Sequence, residues 1–113
     1  MDAAQQIQAR FTAGGYNPLM LNPGEFLFYF ADIFVILVQY GRRAFLCDML
    51  FGKTISQQLD AIVDYTILNN ISVDQYGAYY LQNTTYTGTQ VYRQWTYQYC
   101  SQFGWLQTAP NKD

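Results

Sequence analysis

The apolar positions recur at helical spacing along most of the chain. Residues 2–11 read as a short helix, and 12–21, punctuated by Gly14, Gly15 and Pro18, as a loop. The clearest start signal follows. Asn22 is placed as an N-cap, Pro23 at the first helical position, and Glu25 three residues after the cap, where its side chain can reach back to the cap's own amide. The pattern predicts a helix from 23 to about 40, with Gly41 as its C-terminal stop. After a turn containing Cys47 and Gly52, Thr54 and Gln57 form a second capping box. Leu59, Ile62, Val63 and Ile67 then continue at helical intervals to about Asn69. A weaker helix runs from Ser72 to Leu81, although Gly77 costs it roughly 1 kcal/mol. Residues 82–92 are Thr-rich, lack periodicity and read as an exposed connector, while 91–97 alternate in the manner of a strand. The expected fold is mainly α, with a short strand-like aromatic segment near the C-terminus.

Two stretches of this pattern carry further meaning. Residues 26–38 are apolar on every side except at Asp32. A bilayer core needs about 20 apolar residues, and this run has thirteen with a carboxylate in the middle. A helix buried by protein on most of its faces is therefore expected, with Phe26, Phe28, Tyr29 and Phe30 in a core and no membrane span. A membrane-associated helix is the weaker alternative. Asp32 would be costly to bury unpaired, so it is expected either to take a neighbouring donor or to face a solvent-filled groove, in preference to a catalytic role. The second stretch, "RQWTYQYCSQFGW", residues 93–105, packs five aromatic rings and three glutamines around Cys100. Leaving so many rings in water forfeits burial energy, so something is expected to cover them.

Composition sharpens this picture. Of the 113 residues, 50% are hydrophobic and only 12% charged, against a usual charged share of about 25%. The surface must then be built largely from Gln, Asn, Thr and Tyr. The formal net charge of −2, with Arg42–Arg43 as the only adjacent basic pair, argues against a nucleic-acid partner, because a phosphate backbone demands several cations on one face. That pair reads as part of a solvated turn. The chain has no histidine, which removes the commonest general base and metal ligand together. There is no Gly-x-Ser-x-Gly, and Gly14–Gly15 reads as a loop rather than a phosphate cradle. No catalytic residue, metal ligand or cofactor site is assigned. The N-terminal "MDAAQQIQARF" lacks the basic and apolar regions of a signal peptide, yet Asn70-Ile71-Ser72 and Asn83-Thr84-Thr85 are glycosylation sequons that would need the secretory pathway. Either the natural N-terminus lies upstream, or the sequons arose by chance in an Asn- and Thr-rich chain.

Two blocks carry a resemblance. "RQWTYQYCSQFGWLQT", residues 93–108, resembles the segment R-Q-W-x-Y/W-Q-x-C-T-E-F-G-x-x-Q-T of the S28 serine peptidases, and "FLFYFADIFVILVQYGRRAFLCDML", 26–50, resembles an upstream helix of that family ending in a V-Q-Y-G-like turn and a Leu-Cys pair. The resemblance covers most of the chain. It implies a serine-type exopeptidase acting on short, often proline-containing peptides, and within it the helical lid inserted into an α/β-hydrolase. Residues 1–92 would be the lid-type region and 93–113 the start of the return to the hydrolase domain. The triad would lie in the remainder of that domain, the implied partner in cis, leaving this chain inactive by itself.

The same resemblance implies a Cys47–Cys100 disulfide, a lysosomal or secreted location, and a substrate cleft lined by Trp95, Tyr97, Gln98, Gln102 and Phe103. Closing a loop of about fifty residues would contribute on the order of 4 kcal/mol. Packing in a seam between two layers is the alternative for these side chains, and the favoured one for Trp105. The chain departs from the pattern at Ser101-Gln102, where many members have Thr-Glu, and at Thr96, where some aminopeptidase members carry Asp. A preference for free amino termini is therefore not expected. A stand-alone helical interaction protein derived from such a lid is the competing reading.

Overall fold

Asn22 opens the longest helix in the manner the sequence predicts. In the computed structural model, which describes residues 2–16, 21–85, 88 and 91–104, Asn22 Oδ1 accepts the Glu25 amide at 2.9 Å and Glu25 Oε2 accepts the Asn22 amide at 2.9 Å. Helix α2, Pro23–Gln39, follows. The same reciprocal box starts α1, Ala3–Ala13, with Asp2 and Gln5, and α4, Ile55–Leu68, with Thr54 and Gln57. Each box satisfies amides that a helix N-terminus leaves without partners. Past the end of α2, Gly41 takes a left-handed φ of 74°. The chain wraps back so that Leu37 C=O accepts from the Arg42 amide at 2.7 Å and Val38 C=O from the Gly41 amide at 3.1 Å.

Between α2 and α4 the expected turn is instead a helix. Helix α3, Arg43–Leu50, carries Cys47 and has no side-chain cap. With eight residues it has too little length to show a period. What holds it is burial: Leu46 enters the core, and Met49 and Leu50 pack against it. Arg42, at its start, lies over the Phe45 ring at 4.6 Å. Cys47 occupies the neighbouring exposed position, and Cys100 is exposed on a different element, so the Cys47–Cys100 bridge is not formed and both are free thiols.

The expected helix from Ser72 to Leu81 is broken in two. A 3₁₀ turn, Asp74–Tyr76, is followed by extended backbone at Gly77 and then α5, Ala78–Gln82. The glycine permits a close approach, since a Cβ there would come within 3.0 Å of Leu21 Cδ2. Glu25 ties this region to α2, its Oε1 accepting the Ala78 amide at 3.1 Å.

The strand expected at 91–97 is a helix. Helix α6, Tyr92–Gln98, runs directly into a π-helical turn, Tyr99–Phe103, that ends at left-handed Gly104. Loose alternation along 91–97 suggests a period of two. The less exposed positions are Tyr92, Thr96 and Tyr99, which fit a helical period. The described residues are thus mainly helical and contain no strand.

The core sits where α1, α2, α3 and α4 meet. Phe11 of α1 is fully buried and meets Phe26 edge-on at 5.5 Å and Tyr29 edge-on at 6.0 Å. Arg10 pins α1 to α4 through Asp60 at 2.6 Å and the Ser56 carbonyl at 3.0 Å. Helix α2 supplies Phe26, Tyr29, Ile33 and Leu37 as one buried stripe. Its opposite side departs from the expectation of burial on most faces, because Leu27, Val35 and Val38 remain exposed. The elements packed against α2 cover one stripe of it, but not its circumference. Among the described residues, no helix is long and apolar enough to cross a membrane.

Candidate functional site

A flank of α2, beside its buried stripe, forms the floor of a groove of about 640 Å³. Phe28, Asp32 and Ile36 lie along it at spacings of four, which place them on one helix face. Tyr76, brought in by the 3₁₀ turn, and Tyr92 and Trp95, brought in by α6, form the facing wall. Tyr40, at the end of α2, and Tyr99 and Cys100 of the π-helical turn also line it. A shallower depression of about 480 Å³ lies among Ser72, Asp74 and Tyr80, and shares Tyr92 and Trp95 with the groove.

The polar centre of the groove is one hydrogen bond. Tyr76 donates its hydroxyl to Asp32 Oδ2 at 2.6 Å, across 44 residues of sequence. This matches the expected reading of Asp32 as a carboxylate with a neighbouring donor beside a solvent-facing groove. The rings form two groups, Phe28 with Tyr76 at 5.9 Å and Tyr76 with Tyr92 at 5.5 Å, and Trp95 with Tyr99 at 5.9 Å in an edge-on pair. Burial pushes the Tyr76 phenol well above its usual range, with the hydrogen bond to Asp32 and that group's negative charge adding to the effect. Tyr92 is pushed up to about 12, mainly by burial and then by charge on Tyr99 and Asp32. Both phenols are therefore neutral donors at ordinary pH. The groove holds a carboxylate and aromatic side chains, a combination suited to recognition. No three His, Cys, Asp or Glu side chains among the described residues come together to hold a metal ion.

Of the residues expected to line a substrate cleft, Trp95 reaches this groove. Tyr97, Gln98, Gln102 and Phe103 are exposed and do not line it, and Trp105 falls outside the described residues. Thr96 is half-buried in α6, and its hydroxyl has no partner among the described residues. Asn70 and Asn83 are both exposed, Asn70 in a left-handed conformation just past α4. Tyr76, Tyr92 and Tyr99 were missed as groove residues. For Tyr92 and Tyr99 the sequence signal was the spacing Tyr92, Trp95, Tyr99, which marks one face of a helix.

Comparison with known proteins bears on what this helical unit belongs to. The chain is 31% identical over 97 residues to a probable serine protease, EDA2, of Arabidopsis thaliana. The likeness covers 79% of the chain and 20% of the relative, so the chain spans about a fifth of that protein's length. No family model and no solved structure matches the chain.

Proposed function

We propose that this chain is the lid region of an S28-type serine exopeptidase that acts on short, often proline-containing peptides. The likeness to a probable serine protease over most of the chain carries this reading, and the S28-like blocks at 26–50 and 93–108 support it. Residues 1–92 form the lid-type unit, and 93–113 begin the return to an α/β-hydrolase domain that holds the triad and its oxyanion hole. The lid confines access to chain ends, while acyl transfer takes place on the hydrolase side. Tyr97 and Phe103, 66% and 67% exposed, together with Gln98 and Gln102, face that domain across the substrate cleft, while Trp95 lines the groove on α2. The complete protein is lysosomal or secreted, with Asn70 and Asn83 as glycan acceptors.

A chimera tests the assignment, with this chain replacing the matching fifth of the Arabidopsis protein. The expected chimera reacts with a serine-directed fluorophosphonate and cleaves short peptides. Replacing Tyr97 and Phe103 by Ser in it should raise KM for those peptides. The isolated chain should remain unlabelled, and stoichiometric labelling of it would refute the lid role. A chimera that folds and is labelled, but whose peptide kinetics ignore both replacements, would favour a stand-alone interaction protein.

A further inference from the structure

We propose that the groove around Asp32 is a binding site for a small organic cation, a primary ammonium group carried on an apolar or aromatic stem. The site is independent of the lid assignment, because every residue it uses lies within this chain. Its electrostatics point one way: Asp32 is the groove's acidic side chain, and neither Lys nor Arg lines it. Four of the chain's six Lys and Arg side chains are engaged elsewhere. Arg10 pairs with Asp60, Arg42 lies over Phe45, Lys53 donates to the Met49 carbonyl and Arg93 to the Leu81 carbonyl. A carboxylate in a half-enclosed aromatic groove that no described Lys or Arg lines attracts a positive ligand and repels an anionic one.

The geometry specifies the kind of cation. Tyr76 holds Asp32 Oδ2, which fixes the carboxylate, while Oδ1 accepts no hydrogen bond from the described residues. An N–H donor can therefore complete the carboxylate with a charge-assisted bond, which a quaternary ammonium cannot supply. Phe28, Tyr76, Tyr92 and Trp95 present ring faces and edges beside it, able to attract the charge and to cover an apolar stem. A volume of about 640 Å³ lies within the range of small-molecule sites.

Calorimetric titration of the full chain with phenethylammonium, phenethyl alcohol and phenylacetate tests the proposal. The ammonium is expected to bind saturably and at least tenfold more tightly than the isosteric alcohol, and the carboxylate to give no binding. Asp32→Asn should weaken the ammonium at least tenfold, while Asp60→Asn, at an exposed carboxylate on α4, should leave it within twofold. Equal affinity for ammonium and alcohol, full affinity in Asp32→Asn, or no saturable heat up to millimolar ammonium would each overturn the site. If Asp32→Asn does not fold, the comparison of the ammonium with the alcohol on the unaltered chain decides.

Discussion

Tyr76→Phe removes one hydroxyl and leaves its ring in place. The ring keeps its neighbours Tyr29 at 5.2 Å and Tyr92 at 5.5 Å, so the substitution isolates the 2.6 Å bond to Asp32. A hydrogen bond to a charged acceptor is worth about 1.5–3 kcal/mol. Asp32 is only half-buried and its groove is open, so water can replace part of the lost donor. The expected loss is about 1–1.5 kcal/mol. Urea unfolding followed by far-ultraviolet circular dichroism should show it as a lower midpoint at unchanged slope. At a slope of about 1–3 kcal/mol/M, the midpoint falls by roughly half a molar. A double-mutant cycle with Asp32→Asn should return a coupling of about 1 kcal/mol, because each single change disrupts the same bond. A Tyr76→Phe protein within about 0.3 kcal/mol of the parent, or a cycle that closes additively, would show that the two side chains do not support each other.

Two further outcomes follow from the packing. Gly14→Ala would place a Cβ at 2.7 Å from Val63 Cγ1 and 3.0 Å from Ile67 Cδ1. Val63 is buried and stiff at its branched Cβ, so a loss of about 1–2 kcal/mol is expected in urea unfolding; a neutral or stabilising result, usual for glycine at an open helix end, would contradict that close approach. Burial raises the phenols of Tyr29, Tyr76 and Tyr92 in the folded chain, Tyr92 to about 12. The fold thus keeps protons that the unfolded chain releases near pH 10. Stability should be fully present below about pH 10 and fall as pH rises through about 12, read as a dropping urea midpoint alongside phenolate absorbance; a flat midpoint across that window would refute the burial of these rings.

The helix starts were legible because capping is local. Asn22 with Glu25, and Thr54 with Gln57, need only three residues to declare themselves, and the structure forms both boxes. Helix α3 was hidden for the opposite reason, since its eight residues lack a side-chain cap and owe their helicity to Leu46 entering a core assembled from other helices. At α6 the sequence offered two periods, and the structure selects the one that turns Tyr92 and Tyr99 inward. The groove was only half legible. Asp32 stood out as the one charge in an apolar run, but its donor lies 44 residues away on a turn whose position depends on the break at Gly77. Trp95 was found through ring density, which could not separate it from Tyr97 on the opposite face.

Helix α2 has a consequence that burial alone does not reveal. It is apolar around nearly its whole circumference, so hydrophobic attraction distinguishes poorly between one rotation about its axis and another. Turned by one residue, it would bring Leu27 and Phe34 inward in place of Phe26 and Ile33, at little cost in apolar surface. Asp32 breaks that degeneracy. Its carboxylate meets the Tyr76 hydroxyl in one orientation only, while Glu25 meets the Ala78 amide in the same one. The two carboxylates, seven residues apart, act as indexing pins that fix the angular setting of the helix on which the groove is built.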